Sequence, residues 1–100
     1  MTYTLRFRIP MPIATYDGMH AVVKEVAGSQ TGMLAHLAWE TAEGFEILEV
    51  WETVAAYEKF MSTVWPQVAQ RMGMGPTPAP EGDEFELRGL VLPATRPMYV

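Results

Sequence analysis

The amino-acid sequence predicts an α+β subunit in which strands and helices follow the order β–α–β–β–α–β. Two observations carry that expectation. Apolar residues recur at every second position in four short runs, and at every third or fourth position in two longer ones. Pro and Gly punctuate the gaps between the runs. Four antiparallel strands alternating with two helices in this order form a split βαβ, ferredoxin-like sheet with both helices on one face.

The elements follow in order. Tyr3, Leu5, Phe7 and Ile9 alternate with Thr4, Arg6 and Arg8, and Pro10 and Pro12 end the run, so Tyr3 to Ile9 is a strand. From Thr15 to Ala27, Tyr16, Met19, Val22, Val23 and Val26 repeat at helical spacing opposite Asp17, Lys24 and Glu25, with Thr15 as N-cap and Gly28 as stop. Met33 to Thr41 and Phe45 to Glu52 form a hairpin around Ala42-Glu43-Gly44. Thr53 caps a second helix with Val54, Tyr57, Met61, Val64 and Val68 on its apolar stripe, and Pro66 kinks or restarts it. Residues 73–83 hold three Gly and three Pro and form a loop. Phe85 to Leu92 alternates as the fourth strand, and 93–100 is a Pro-interrupted tail. Residues 1–100 read as one domain.

Composition excludes several classes. The 49% hydrophobic and 19% charged fractions are those of a globular chain. With no Cys there are no disulfides, zinc–thiolate sites, iron–sulfur clusters or thiol nucleophiles. The 2 His leave an all-His metal site short of ligands, and no D-x-D-x-D run is present, so no metal is expected. A net charge of −5 with scattered basic residues argues against nucleic acid as a partner. The apolar runs fall short of a membrane span, and the first residues lack a secretory h-region, so a cytoplasmic location is expected.

The middle hairpin is apolar on both faces. Ala35, Leu37, Trp39, Leu48 and Val50 share one, while Leu34, Ala38, Phe45, Ile47 and Trp51 share the other. Two helices cover one face. A second copy of the chain is the simplest cover for the other, which predicts a homodimer.

The stretch from Gly32 to Met61 resembles the antibiotic biosynthesis monooxygenase-like family of dimeric α+β barrels. The resemblance rests on His36 in the second strand, the Gly44-Phe45 hairpin exit, Glu49 two residues before Trp51, the Trp51-Glu52-Thr53 turn into a helix, and Phe60 seven residues later. With the first strand and helix, it covers most of residues 1–92. It implies a homodimer with sheets packed face to face, a pocket between sheet and helices in each subunit, and chemistry on aromatic polyketides or quinones without metal or flavin. Cyclases are related, and many members have no assigned activity. A haem-degrading branch is similar but needs a His on the second helix, and residues 53–72 contain none.

A short turn with Thr41 facing Gly44 sets Glu40 opposite Phe45, Ala38 opposite Ile47, His36 opposite Glu49 and Leu34 opposite Trp51. His36 and Glu49 then have Cβ atoms roughly 5 Å apart. A carboxylate fixes the tautomer of an imidazole and tunes it as a general base or acid. A one-residue bulge at Gly44 would turn Glu49 to the other face.

Two readings stand side by side: a catalytic dyad, or a satisfied polar pair at a core edge or dimer seam. Trp51 offers a wall for an aromatic substrate, and equally a core residue. Tyr57, Phe60, Tyr16 and Met19 are the other candidate substrate-binding residues. Tyr16 and His20 are i, i+4 neighbours that can touch, with His20 expected to face solvent. Arg6 and Arg8 share a strand face, either ion-paired to Glu46, Glu52 or Glu86, or, with Arg88, anchoring a carboxylate or phenolate. Trp39 and Trp65 fit a seam or lid, and the 8 Met fit adaptable packing.

The resemblance chiefly implies a small cofactor-independent oxygenase or cyclase acting on an aromatic, polyketide-like molecule, with His36 as general base or acid and Glu49 orienting it. The rival is a homodimer that binds a small hydrophobic ligand without catalysis.

Overall fold

The computed structural model describes residues 2–27, 32–74 and 81–91. The elements run β1 (Tyr3–Ile9), α1 (Ile13–Ala27), β2 (Met33–Thr41), β3 (Gly44–Trp51), α2 (Val54–Thr63), α3 (Trp65–Arg71) and β4 (Glu81–Phe85). The strands pair antiparallel in the order β2-β3-β1-β4. The helices lie on one face, so the architecture is the ferredoxin-like α+β subunit, with its second helix broken in two. None of the described helices is long and apolar enough to cross a membrane.

Local chemistry accounts for the boundaries. Helix α1 opens two residues earlier than the sequence predicts: the Thr15 N–H donates to Pro12 O at 2.9 Å, so Thr15 lies inside the first turn rather than capping it. A proline at this point has no N–H to leave unsatisfied and a φ already suited to helix entry. The stop expected at Gly28 lies outside the described residues. Thr53 is the N-cap of α2, its hydroxyl accepting from Ala56 N. The helix ends at Thr63 and restarts at Trp65, with Pro66 in the first turn of α3. Val54, expected on the apolar stripe, is exposed. Phe60 and Val68 are the buried contacts of these two helices.

The hairpin register is the one the short turn requires: Thr41 opposite Gly44, Glu40 opposite Phe45, Ala38 opposite Ile47 and His36 opposite Glu49. Gly44 is held close to the Ile9 and Met11 backbone, and a Cβ there would strike Ile9 O. At the other end the expectation fails. Met33, not Leu34, pairs with Trp51, because the register shifts between Met33 and Ala35. Just before it, Gly32 has a φ of 75°, and its carbonyl accepts from Glu52 N at 2.9 Å.

The fourth strand is the largest correction. It spans Glu81–Phe85, starting inside the segment expected as loop and sharing only Phe85 with the expected strand, and 86–91 form no strand. Its partner on β1 decides this: Thr4 to Arg8 pair with Phe85 to Glu81. Asp83 Oδ2 accepts from Arg6 Nη2 at 3.1 Å and from Arg8 Nη2 at 2.8 Å. Pairing and charge override the poor strand propensity of Glu-Gly-Asp-Glu. Residues 75–80 and the tail over 93–100 lie outside the described residues.

The core sits between sheet and helices. Leu5, Phe45, Ile47 and Trp51 point from the strands toward Phe60 and Val68. The opposite face buries Thr4 and Val50 at its centre yet leaves Leu37 50% exposed, Trp39 40% and Phe85 41%. Arg6 and Arg8 lie on this face, paired with Asp83 and with Glu46 from β3, and the Arg6 guanidinium sits 5.4 Å from the Phe85 ring centre. Glu46 was among the expected partners. Asp83 is a partner the sequence does not predict, because its Gly/Pro-rich surroundings read as a loop.

Candidate functional site

The two-residue turn and the antiparallel register place His36 on β2 directly across from Glu49 on β3, both on the face that meets α1. Glu49 Oε2 lies 3.2 Å from His36 Nδ1, and its Oε1 accepts from Trp51 Nε1 at 3.2 Å. A carboxylate only accepts, so the proton of this pair resides on His36 Nδ1. Nε2 then presents its lone pair, and the Tyr16 hydroxyl donates to it at 2.7 Å. Tyr16 arrives from α1, the element packed over this part of the sheet.

One run of polar atoms therefore extends from the core to the helix: Trp51, Glu49, His36, Tyr16. His20, one turn beyond Tyr16, brings Nδ1 to 3.5 Å from the Tyr16 oxygen. The rings stack as well, Tyr16 on His36 at 5.8 Å and on His20 at 5.5 Å, while Phe45 tilts against Tyr16 at 5.6 Å. His20 is half-buried against the site rather than turned to solvent as expected.

The surroundings tune these groups. Burial, followed by the negative charges of Glu49 and Asp17, pushes the Tyr16 hydroxyl above the ordinary tyrosine range. Burial also lowers His20, assisted by His36 and Lys24 and opposed by Asp17, so its neutral form is favoured. The dyad is partly shielded, with 25% of the His36 side chain and 13% of the Glu49 side chain accessible.

The other candidates form a second cluster behind the first. Trp51 is fully buried, with Phe60 at 5.2 Å and Tyr57 edge-on at 5.6 Å. Tyr57 also meets Tyr3 at 5.4 Å, and burial, with Glu49 and Glu84, raises its hydroxyl. Met19 is half-buried one turn after Tyr16. The alignment thus joins His36, Glu49, Trp51 and Tyr16 directly, with Tyr57 and Phe60 packed on the far side of the indole. An open hollow of about 290 Å³ lies at the hairpin end, lined by residues 10–13 and 40–44, with none of the dyad in its walls. Among the described residues no group of three or more His, Asp or Glu is arranged to hold a metal ion.

The Tyr16–His36 bond joins two elements whose crossing no periodicity specifies, which is why the sequence does not reveal it. The only signal was the i, i+4 relation of Tyr16 and His20 on the face of α1 that meets the sheet.

Several solved structures share this fold. A protein from Chloroflexus aurantiacus J-10-fl, described as an antibiotic biosynthesis monooxygenase, superposes with a TM-score of 0.63 at 20% identity, over 91% of this chain and 97% of that one. SnoaB, a cofactor-independent oxygenase from Streptomyces nogalater, gives a TM-score of 0.57 at 17% identity, over 93% and 96%. A haem-degrading protein from Mycobacterium tuberculosis gives 0.57 at 18% identity, over 91% and 99%. At these identities the likeness is one of fold. No protein-family model and no curated protein matches the sequence.

Proposed function

We propose that the chain is a small-molecule enzyme of the monooxygenase-like type, acting without a cofactor on an aromatic, polyketide-like substrate. His36 is its general base and Glu49 holds the imidazole. The observation that supports this reading is the paired geometry of His36 and Glu49: Nδ1 is tied to a carboxylate, so Nε2 points toward α1 as a proton acceptor. A phenolic or enolic substrate that loses its proton there becomes an electron-rich anion able to react with O₂ itself. The protein's part is deprotonation and exclusion of water. A cyclisation begun by the same deprotonation uses the same groups.

Tyr16 and Met19 contact the substrate from α1, and Tyr57 and Phe60 support Trp51 behind the dyad. The working unit is a homodimer, its partner covering the sheet face that bears Leu37 and Trp39. His36→Gln tests the reading: turnover of hydroxylated polycyclic aromatics, followed by oxygen consumption, should fall about 10²-fold or more. Unchanged turnover removes His36 from the mechanism.

One observation favours a second reading. Trp51 has no exposed surface and the described hollow lies away from the dyad, as in a protein that uses His36–Glu49 to fix its core and binds a small hydrophobic ligand without catalysis. In that case His36→Gln lowers thermal stability and leaves ligand binding intact.

A further inference from the structure

We propose that Tyr16 is the group through which His36 exchanges its proton with a bound ligand: the ligand's hydroxyl meets the Tyr16 oxygen, which takes that proton as it gives its own to His36 Nε2. The inference rests on the reading of His36 and Glu49 as a base pair.

His36 has no open nitrogen. Nδ1 faces Glu49 Oε2 at 3.2 Å and Nε2 faces the Tyr16 hydroxyl at 2.7 Å. Its ring is flanked by Tyr16 at 5.8 Å and His20 at 6.1 Å. Tyr16 is therefore the hydroxyl that stands between Nε2 and any further hydroxyl.

A phenol has one proton to donate and lone pairs with which to accept. On Tyr16 the proton is committed to His36, which leaves the oxygen able to accept. Besides His36, His20 Nδ1 lies 3.5 Å from that oxygen, at the outer limit of a hydrogen bond. A ligand O–H, which would sit about 2.7 Å away in a normal O–H···O bond, is the better partner.

The transfer balances. The ligand O–H bond breaks and a new Tyr16 O–H bond forms, while the old Tyr16 O–H bond breaks and His36 Nε2–H forms. The products are a ligand anion, a neutral Tyr16 and an imidazolium whose charge faces the Glu49 carboxylate. A concerted double shift never leaves a tyrosinate in the site. That matters here, because burial and the charges of Glu49 and Asp17 disfavour one.

Tyr16→Phe is the decisive variant, since it keeps the ring against Phe45 and His36 and removes only the oxygen. The probe is dihydroxynaphthalene, whose reaction with O₂ gives hydroxynaphthoquinone and water. We expect kcat for Tyr16→Phe to fall about 10²-fold or more, to the level of His36→Gln, with KM within about threefold. The wild-type rate in mixtures of H₂O and D₂O should curve as for two protons moving together, and the residual rate of Tyr16→Phe should be linear. In the free protein, nitrogen-15 spectra should show His36 protonated on Nδ1.

A Tyr16→Phe kcat within about twofold of wild type, alongside an inactive His36→Gln, overturns the relay and leaves the base pair standing. His36 protonated on Nε2 overturns the relay as well. Wild type and His36→Gln that are equally inert toward the probe overturn the base pair itself, and the relay with it.

Discussion

The indole N–H of Trp51 donates to Glu49 Oε1 at 3.2 Å, two residues away on the same face of β3. With His36 on Oε2, both carboxylate oxygens are occupied and the acid is pinned in one rotamer. A residue buried for its apolar bulk thus also orients the polar pair.

Trp51→Phe separates those two contributions. The ring packing against Phe60 and Tyr57 is largely kept, but Oε1 loses its donor in a mostly buried position. We expect a loss of about 1–3 kcal/mol in urea unfolding, against about 3–5 kcal/mol for Trp51→Ala, which also opens a cavity. No loss in Trp51→Phe would show that the N–H contributes nothing.

Glu49→Gln keeps the shape and removes the charge that faces Nδ1. Turnover should drop about 10²-fold, and nitrogen-15 spectra of His36 should show the Nδ1–H tautomer losing population. An unchanged tautomer would place the control of His36 elsewhere.

The hydroxyl of Tyr3 donates to Glu84 Oε1 at 2.7 Å, and burial together with that carboxylate raises its pKa to about 12. A folded-state value above the unfolded one of about 10 favours the neutral phenol in the native state. Its contribution to stability is therefore complete below pH 10 and is lost as pH rises toward 12. Unfolding followed across that range should show the decline in wild type and a shallower one in Tyr3→Phe.

Asp83 titrates the opposite way. Hydrogen bonds from Arg6 and then Arg8 hold its carboxyl below the usual carboxylate range. Its contribution is present above the ordinary carboxylate pKa of about 4 and is lost as pH falls below it. Asp83→Asn should speed amide exchange in β4 and in its β1 partners, most visibly at low salt, because the pairs are half exposed and screened. Exchange unaffected by the variant would leave the strand pairing alone to hold β4.

Leu37 and Trp39 test the dimer. Trp39→Glu puts a charge on the helix-free face, which should weaken self-association by roughly 30-fold or more, the loss of one strong contact. Sedimentation that shows the same species for both proteins would argue that this face meets no second copy.

The legibility of the chain follows from which forces act locally. Alternation along β1, β2 and β3 reports burial of one face directly, and the Thr41–Gly44 turn sets the register that brings His36 to Glu49. Thr53 and Pro66 act within their own turns, so the cap and the break were readable. β4 was not, because Glu81 to Phe85 owe their strand to Arg6 and Arg8 some seventy-five residues away. Tyr16 was readable as a residue on the correct face of α1, but its bond to His36 depends on how a helix crosses a sheet, and spacing along one element carries no such information.

The irregularity at Leu34 has a consequence for how this sequence tolerates change. Leu34 has no residue opposite it on β3, because Met33 faces Trp51 and Ala35 faces Val50. Deleting Leu34 should therefore restore regular pairing with Met33 still opposite Trp51, and leave the imidazole with its carboxylate.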